Sequence, residues 1–299
     1  MFSKIISAVG YYLAYPFLYL LSISPFWLLY FLSDLLYLLF YYIIGYRKEV
    51  VLENLSNAFP EKNKNEIKDL SKKFYKYLCD LFLETFKTLT ISEKEMLKRC
   101  RMTEQAQLVF AKPAAEGRSV IIVMGHFGNW EWSGNSFSIV CRHQLFVIYH
   151  ALTNKYFDRL VYKMRTRFGT KLFEMNDTFR SMISNKNILS ATAFIADQTP
   201  SPVGAYWTKF LNQDTPVYWG TERIAKKFNY PVIYVSVKKV KRGYYEVFAE
   251  TIVEDPDKTT EGEISELHTR RLEKDILEQP ETWLWSHRRW KYKRTADQT

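Results

Sequence analysis

Residues Gly125-His126-Phe127-Gly128-Asn129-Trp130-Glu131 set an imidazole and a carboxylate five positions apart, directly after an apolar run. That is the outline of a general base with an orienting partner, because a catalytic imidazole needs one nitrogen free to take a proton and the other tied to an acceptor that fixes its tautomer. Glu131 is the nearest acceptor in sequence, so His126 and Glu131 are the expected catalytic pair, and Asn129 between them is a candidate substrate contact. On one regular helix, residues five apart diverge by roughly 140°. The pair therefore meets only if His126 sits on a turn and Glu131 in the first coil of the next helix. Gly125 and Gly128 permit such a turn and leave room for a substrate to approach. General-base assistance is worth roughly 10² to 10⁴ in rate, so other groups must contribute. A satisfied core histidine beside a strand is the competing reading, and spacing alone does not separate the two.

The run before this block, Arg118 to Met124, is β-branched and nearly continuous, which predicts a buried strand feeding the turn. Beyond it helices are predicted from about Asn129, over Lys155 to Phe168, Tyr218 to Phe228 and Glu263 to Leu277. Strands are predicted over Gln144 to Tyr149, Thr170 to Phe173, Leu189 to Ala196, Pro231 to Lys238 and, after the turn Lys241-Arg242-Gly243, Tyr244 to Thr251. Such alternation implies an α/β fold with a mixed, largely parallel sheet flanked by helices. Upstream, Ile67, Leu70, Phe74, Tyr77, Leu78, Leu81 and Phe82 recur at helical spacing, predicting an amphipathic core helix from Asn63 to about Thr90 with Asn63 or Asn65 as its N-cap.

In sheets of this kind reactive groups collect where strands end. Asp197 and Gln198 follow one predicted strand as His126 follows another, which places them in the same crevice, Asp197 positioning a substrate or a basic side chain. A turn or cap is the competing role for an aspartate there. Arg165 and Arg167 close the Lys155 to Phe168 helix, where the macrodipole favours cations whatever their function. The sequence has no H-E-x-x-H motif, no His pair at helical spacing and no Cys/His cluster, so neither a metal nor another cofactor is expected.

A chain of 299 residues can bury a substantial core. Its three cysteines, Cys79, Cys100 and Cys141, are widely spaced and form no C-x-x-C pair, which argues against a disulfide framework and for a reducing compartment. The 21 Tyr, 21 Phe and 8 Trp suit a boundary between lipid and water, and the net charge of +10 favours an anionic surface. Ile5 to Leu21 and Phe26 to Ile44 are apolar stretches split by Ser22-Ile23-Ser24-Pro25. Each approaches the roughly 20 residues that cross a bilayer, although Asp34 would cost about 2.5–3.5 kcal/mol at its centre. These stretches predict membrane-embedded N-terminal helices. Lys4 on one flank and Arg47-Lys48 on the other favour a body on the cytoplasmic side. A cleaved signal peptide is not expected, because the apolar region is too long. The ending Trp283 to Arg294 interleaves rings with cations, a mixture that suits a membrane interface or single-stranded nucleic acid. The apolar N-terminus decides for lipid, with no nucleic-acid partner.

Gly-His-Phe-Gly-Asn-Trp-Glu resembles the H-x4-D/E block of the lysophospholipid acyltransferase superfamily, in the form found in the bacterial late acyltransferases of lipid A. The segment holding Tyr46-Arg47-Lys48, Glu53-Asn54-Leu55 and Ala58-Phe59-Pro60 resembles that family's link between anchor and catalytic body, Ile195-Ala196-Asp197-Gln198 its second acidic block, and Pro280 to Lys291 its C-terminal signature. Phe210-Leu211-Asn212 departs from the pattern, where an aromatic residue and a Gly are usual. The resemblance spans nearly the whole chain. It implies membrane-anchoring helices over 1–46 and an acyltransferase domain over 47–299. It further implies O-acyl transfer from an acyl carrier protein thioester to a hydroxyl of a lipid A precursor, with catalysis on the cytoplasmic side of the bacterial inner membrane and a functional arginine at 165 or 167. Acyl transfer to a lysophospholipid or amino-acid lipid, and a non-enzymatic membrane- or nucleic-acid-binding protein, are the rival readings.

Overall fold

The computed structural model describes residues 2–294, with side chains from Ser7 onward. Lys4 as a flanking cation lies outside the described side chains, and Met1 and residues 295–299 lie outside the described residues. Two helices open the chain, α1 (Phe2–Ile23) and α2 (Phe26–Leu38), and α2 runs on as a π-helical segment, Leu39–Ile44. Pro25, fixed at φ −65°, lacks the N–H that would continue α1 and instead starts α2. Gly45, at φ 65°, ends the run in the left-handed region that glycine adopts without strain. Phe26–Ile44 is long and apolar enough to cross a membrane, with a mean hydropathy of 1.7.

Helix α3 (Lys48–Ala58) leads to α4 (Lys64–Lys87), which starts at Asn63 as the hydrophobic spacing predicts. Asn63 Oδ1 accepts from the amides of Asn65 and Glu66, while Glu66 Oε2 accepts from the Asn63 amide, a reciprocal capping box. Ile67, Leu70, Phe74, Tyr77 and Leu81 are buried as expected. Phe82, assigned to the same face by its spacing, is instead exposed, because at i+1 from Leu81 it turns roughly 100° away.

The body then alternates: α5 (Glu93–Arg99), β1 (Cys100–Met102), α6 (Glu104–Ala115), β2 (Val120–Met124), α7 (Trp130–Val140), β3 (Gln144–Tyr149), α8 (Lys155–Thr166), β4 (Lys171–Glu174), α9 (Thr178–Ser184), β5 (Ser190–Ile195), β6 (Tyr206–Phe210), β7 (Gln213–Val217), α10 (Gly220–Phe228), β8 (Val232–Lys241), β9 (Tyr244–Val253) and α11 (Glu263–Glu278). Seven strands form one sheet in the order β1-β9-β8-β2-β5-β3-β4, with only the β8–β9 pair antiparallel, so the expected mixed, largely parallel sheet is the one observed. Strands β6 and β7 form a separate hairpin that the sequence patterns did not predict. Its two-residue turn is Leu211-Asn212, both at positive φ.

All five residues of the central strand β2 are buried. Period-two alternation sends Ile121 and Val123 into one core with Phe74, Tyr77, Tyr234 and Trp283. Val120, Ile122 and Met124 enter a second core with Phe110, Trp132 and Val235. Both faces of the sheet are therefore covered, which is why β2 reads as an unbroken apolar run.

The turn between β2 and α7 is pinned from several directions. Gly128 lies at φ +60°, and a Cβ there would fall 1.8 Å from the Val237 carbonyl oxygen. Tyr77 donates to the Gly128 carbonyl at 2.6 Å. Wholly buried Glu84 accepts from Asn129 Nδ2 at 2.8 Å, Tyr245 at 2.8 Å and Tyr30 at 2.9 Å, tying α2, α4 and β9 to the start of α7. Burial, reinforced by nearby Asp80, pushes the Glu84 carboxyl up to about 7, although bonds from Tyr245 and Tyr30 oppose this.

Two consequences are measurable. Gly128→Ala combines left-handed strain with a backbone clash and is expected to lower unfolding stability by at least about 2 kcal/mol, read from the denaturant midpoint in detergent. For Glu84, the folded value lies above the unfolded value of about 4.3, so its ionisation opposes folding. Raising pH from about 5 to about 7.5 should cost the native protein up to ~3 kcal/mol relative to Glu84→Gln, measured as the difference between their melting profiles.

Candidate active site

Strands β2 and β5 are parallel neighbours in the register Val120↔Ala191 through Met124↔Ile195. The Ala196 amide bonds the Met124 carbonyl at 3.1 Å, and two residues beyond the last strand pair stand His126 and Asp197. The sheet thus delivers both side chains to one edge, where loops enclose a crevice. His126 Nδ1 lies 2.6 Å from Asp197 Oδ1, and the His126 amide donates to Asp197 Oδ2 at 2.8 Å. Trp283 Nε1 adds a bond to that oxygen at 2.7 Å. Burial alone would push the Asp197 carboxyl up; the charge of His126, hydrogen bonds from its ring and amide, and the Trp283 indole outweigh that and hold it at about 2. An ionised carboxylate only accepts, so Nδ1 carries a proton and Nε2 is the ring nitrogen turned to the cleft.

The structure therefore corrects the expected pairing. Asp197, not Glu131, bonds the His126 ring, because register sets adjacent strand ends side by side while Glu131, in the first turn of α7, faces α8. Both Glu131 oxygens are taken by Arg165 from the last turn of α8, Nε to Oε2 at 3.0 Å and Nη2 to Oε1 at 2.5 Å. Burial pushes the Glu131 carboxyl up, but the charge and hydrogen bonds of Arg165 more than reverse this and leave it lowered. The Trp130 indole stands edge-on to the His126 ring, centroids 5.0 Å apart, and Gln198 Nε2 approaches His126 Nε2 to 3.4 Å.

His126, Glu131, Arg165 and Gln198 line a cleft of about 500 Å³ together with His150, Asp158 and a larger number of apolar side chains, Val147, Val161, Phe194, Ile195 and Ile224 among them. Trp130, Gly134, Val147 and Ile195 also border a smaller pocket of about 50 Å³, lined almost wholly by apolar side chains such as Phe110, Phe137 and Val235.

Two expected substrate contacts lie elsewhere. Asn129 is wholly buried and its amide is spent structurally: Oδ1 caps α7 at the Trp132 amide and Nδ2 bonds Glu84. Arg167 bonds the Thr88 carbonyl and stacks on Phe168, turned away from the cleft. The turn amides of His126 and Gly128 are also bonded, the first to Asp197 Oδ2 and the second to the Thr282 carbonyl, while Arg165 lines the cleft. Among the described residues no group of three or more His, Cys, Asp and Glu side chains is placed to hold a metal ion.

The aromatic-basic ending departs most from expectation. Trp283 and Trp285 are buried, Trp290 donates to Thr215, and buried Arg289 donates to the Pro216 carbonyl, so these side chains close the back of the site instead of meeting lipid. Arg289 and His268 border a water-sized space of about 10 Å³ beneath Asp197. Burial holds Arg289 down at about 10 and His268 at about 4. The support that Trp283 gives Asp197 had one sequence signal, its place in the C-terminal signature.

The chain finds no match among curated proteins. A family model described as bacterial lipid A biosynthesis acyltransferase matches residues 2–292. With strand-end His126 on Asp197 and a match over nearly its whole length, this chain belongs to the bacterial lipid A biosynthesis acyltransferase family.

Proposed function

We propose that the protein transfers a fatty acyl chain from an acyl carrier protein thioester to a hydroxyl of a lipid A precursor, at the cytoplasmic face of the bacterial inner membrane. The observation that carries this reading is His126, steadied by Asp197, in the wall of a mostly apolar cleft of about 500 Å³. An acyl chain is apolar along its length and reactive at one end, and a histidine held by a carboxylate in a mostly apolar wall suits both parts.

His126 Nε2 takes the proton of the acceptor hydroxyl as its oxygen attacks the thioester carbonyl. Asp197 keeps the ring in the tautomer that leaves Nε2 free and stabilises the imidazolium. The carbonyl electrons move onto its oxygen, and Arg165, held by Glu131, faces that charge. Collapse expels the thiolate, which recovers the proton from the imidazolium, so the dyad returns to its starting state. Glu131 serves by holding the guanidinium. The basic net charge of +10 favours an acidic carrier protein as donor through electrostatic steering. Residues 1–46 are proposed as the anchor and 47–299 as the catalytic domain.

Purified protein incubated with defined acyl carrier protein thioesters and a lipid A precursor should yield a product heavier by one acyl group in the mass spectrum; acylation of lysophospholipid alone would redirect the assignment. His126→Ala should lose at least about 10³-fold in kcat and Asp197→Asn roughly 10²- to 10⁴-fold, with membrane association intact; near-normal turnover in His126→Ala would eliminate it as the base. Arg165→Lys should lower kcat by roughly 10²- to 10³-fold, since a single ammonium cannot reproduce the two-pronged contact with Glu131. Arg167→Ala should stay within a few-fold of native kcat, and equal losses at both arginines would refute the separation.

A further inference from the structure

We infer that one buried water binds beneath Asp197, held by Arg289 and His268, and that through it Arg289 acts as a positioning residue for the dyad of His126 and Asp197. Asp197, His268 and Arg289 border the space of about 10 Å³ described above, whose other walls are mostly apolar, Phe210, Val217 and Leu272 among them. Arg289 is 2% and His268 5% exposed, so bulk water reaches neither. Among the described residues, Arg289 Nε and Nη1 and His268 Nε2 find no hydrogen-bond partner. A buried guanidinium with two idle donors is costly. A polar space of this size, with two to four partners around it, is where a buried water settles.

A water there completes its own set of bonds. Its oxygen accepts from Arg289, one hydrogen goes to His268 Nε2 and the other to Asp197. An ionised carboxylate offers about four acceptor positions, of which the His126 ring, the His126 amide and the Trp283 indole use three. A small anion is the poorer occupant, because the Asp197 carboxylate borders the same space and repels it. Arg289 is fixed for the task. Its Nη2 donates to the Pro216 carbonyl at 2.7 Å, and its carbonyl accepts from the Thr199 hydroxyl at 2.8 Å. Thr199 follows Asp197 by two residues, and its amide donates to His287 Nε2 at 3.2 Å, so the chain end grips the loop that carries the aspartate.

Charge gives this link a direction. Besides His126, the Asp197 charge is felt by Tyr77 from α4, Tyr234 from β8, His268 from α11, and His287 and Arg289 from the chain end. Burial pushes both phenols well up and both imidazoles down, which leaves these four neutral near pH 7. Arg289, lowered by burial to about 10, is the cation of the set. On the cleft side, Glu131 and Arg165 pair and largely offset each other. The Arg289 charge therefore favours the ionised carboxylate and opposes the imidazolium beyond it. Removing that charge makes the imidazolium easier to form and moves the titration of the dyad to higher pH.

A crystal structure of the full chain should show one ordered water within hydrogen-bond distance of Arg289, His268 Nε2 and Asp197. Crystals soaked in bromide should give no anomalous peak at that point. A peak there, or a dry space, would overturn the inference, and both readouts use the unaltered chain, so they decide even where a variant fails to fold. In detergent, with histidine nitrogens labelled and the signal assigned by its loss in His126→Gln, Arg289→Met should raise the midpoint of the dyad's titration by about one pH unit. Arg289→Lys keeps the charge and should leave the midpoint nearly in place. An unmoved midpoint in Arg289→Met, or equal shifts in both variants, would reduce Arg289 to packing and overturn its role. On the acid side of the profile, kcat/KM of Arg289→Met should fall about tenfold, the counterpart of that unit, with recovery in Arg289→Lys. This last arm alone rests on His126 as the base: the expected water and midpoint shift in a protein whose turnover ignores His126 would refute the proposed reaction and leave the inference standing.

Discussion

The register between β2 and β5 is the constraint on which the site depends. Met124 stands opposite Ile195, and each strand continues two residues into its functional group. The arrangement needs no long reach by either side chain, and the Asp197 carboxylate holds the ring of His126 with one oxygen and its backbone with the other. A buried carboxylate is costly unless its lone pairs are satisfied. Here a ring nitrogen, a backbone amide and an indole meet that need, which keeps the group ionised despite burial.

The second charged pair is anchored differently. Glu131 and Arg165 belong to the facing ends of α7 and α8, so their position follows helix packing, whereas His126 and Asp197 follow the sheet. The two pairs meet across a cleft with largely apolar walls, where charge interactions are stronger than in water. Buried Asn129 keeps them in mutual alignment, since it caps α7 and hands its other amide group to Glu84 on α4. Through Tyr30 the same carboxylate reaches α2, so the start of α7 and the apolar N-terminal layer share one hydrogen-bonded centre.

Much of this was legible because period and punctuation are local. The unbroken run Val120 to Met124, the amphipathic repeat of α4 and the capping residue Asn63 each follow from a few neighbouring side chains, and the observed elements agree within a few residues. Which acidic group would meet His126 was not local. Glu131 is five residues away and Asp197 seventy-one, and only strand order decides between them. The β6–β7 hairpin escaped detection because its turn is Leu211-Asn212, and leucine at φ 48° is the reverse of a turn signal. The Trp-rich ending misled for a related reason. Composition shows that rings and cations are present, while tertiary packing decides whether they face lipid or, as with Trp283 and Arg289, the underside of a carboxylate.

Trp283 gives the site an order of completion. Ribosomal synthesis proceeds from the N-terminus, and segments made early start folding before later ones emerge. Helices α1 and α2 leave the exit tunnel long before the stretch that supplies the indole to Asp197 and pairs Trp283 with Phe127. A nascent chain therefore exposes its apolar layer while the aspartate still lacks one of its three donors, and the dyad acquires its full set of bonds only after Trp283 has left the ribosome.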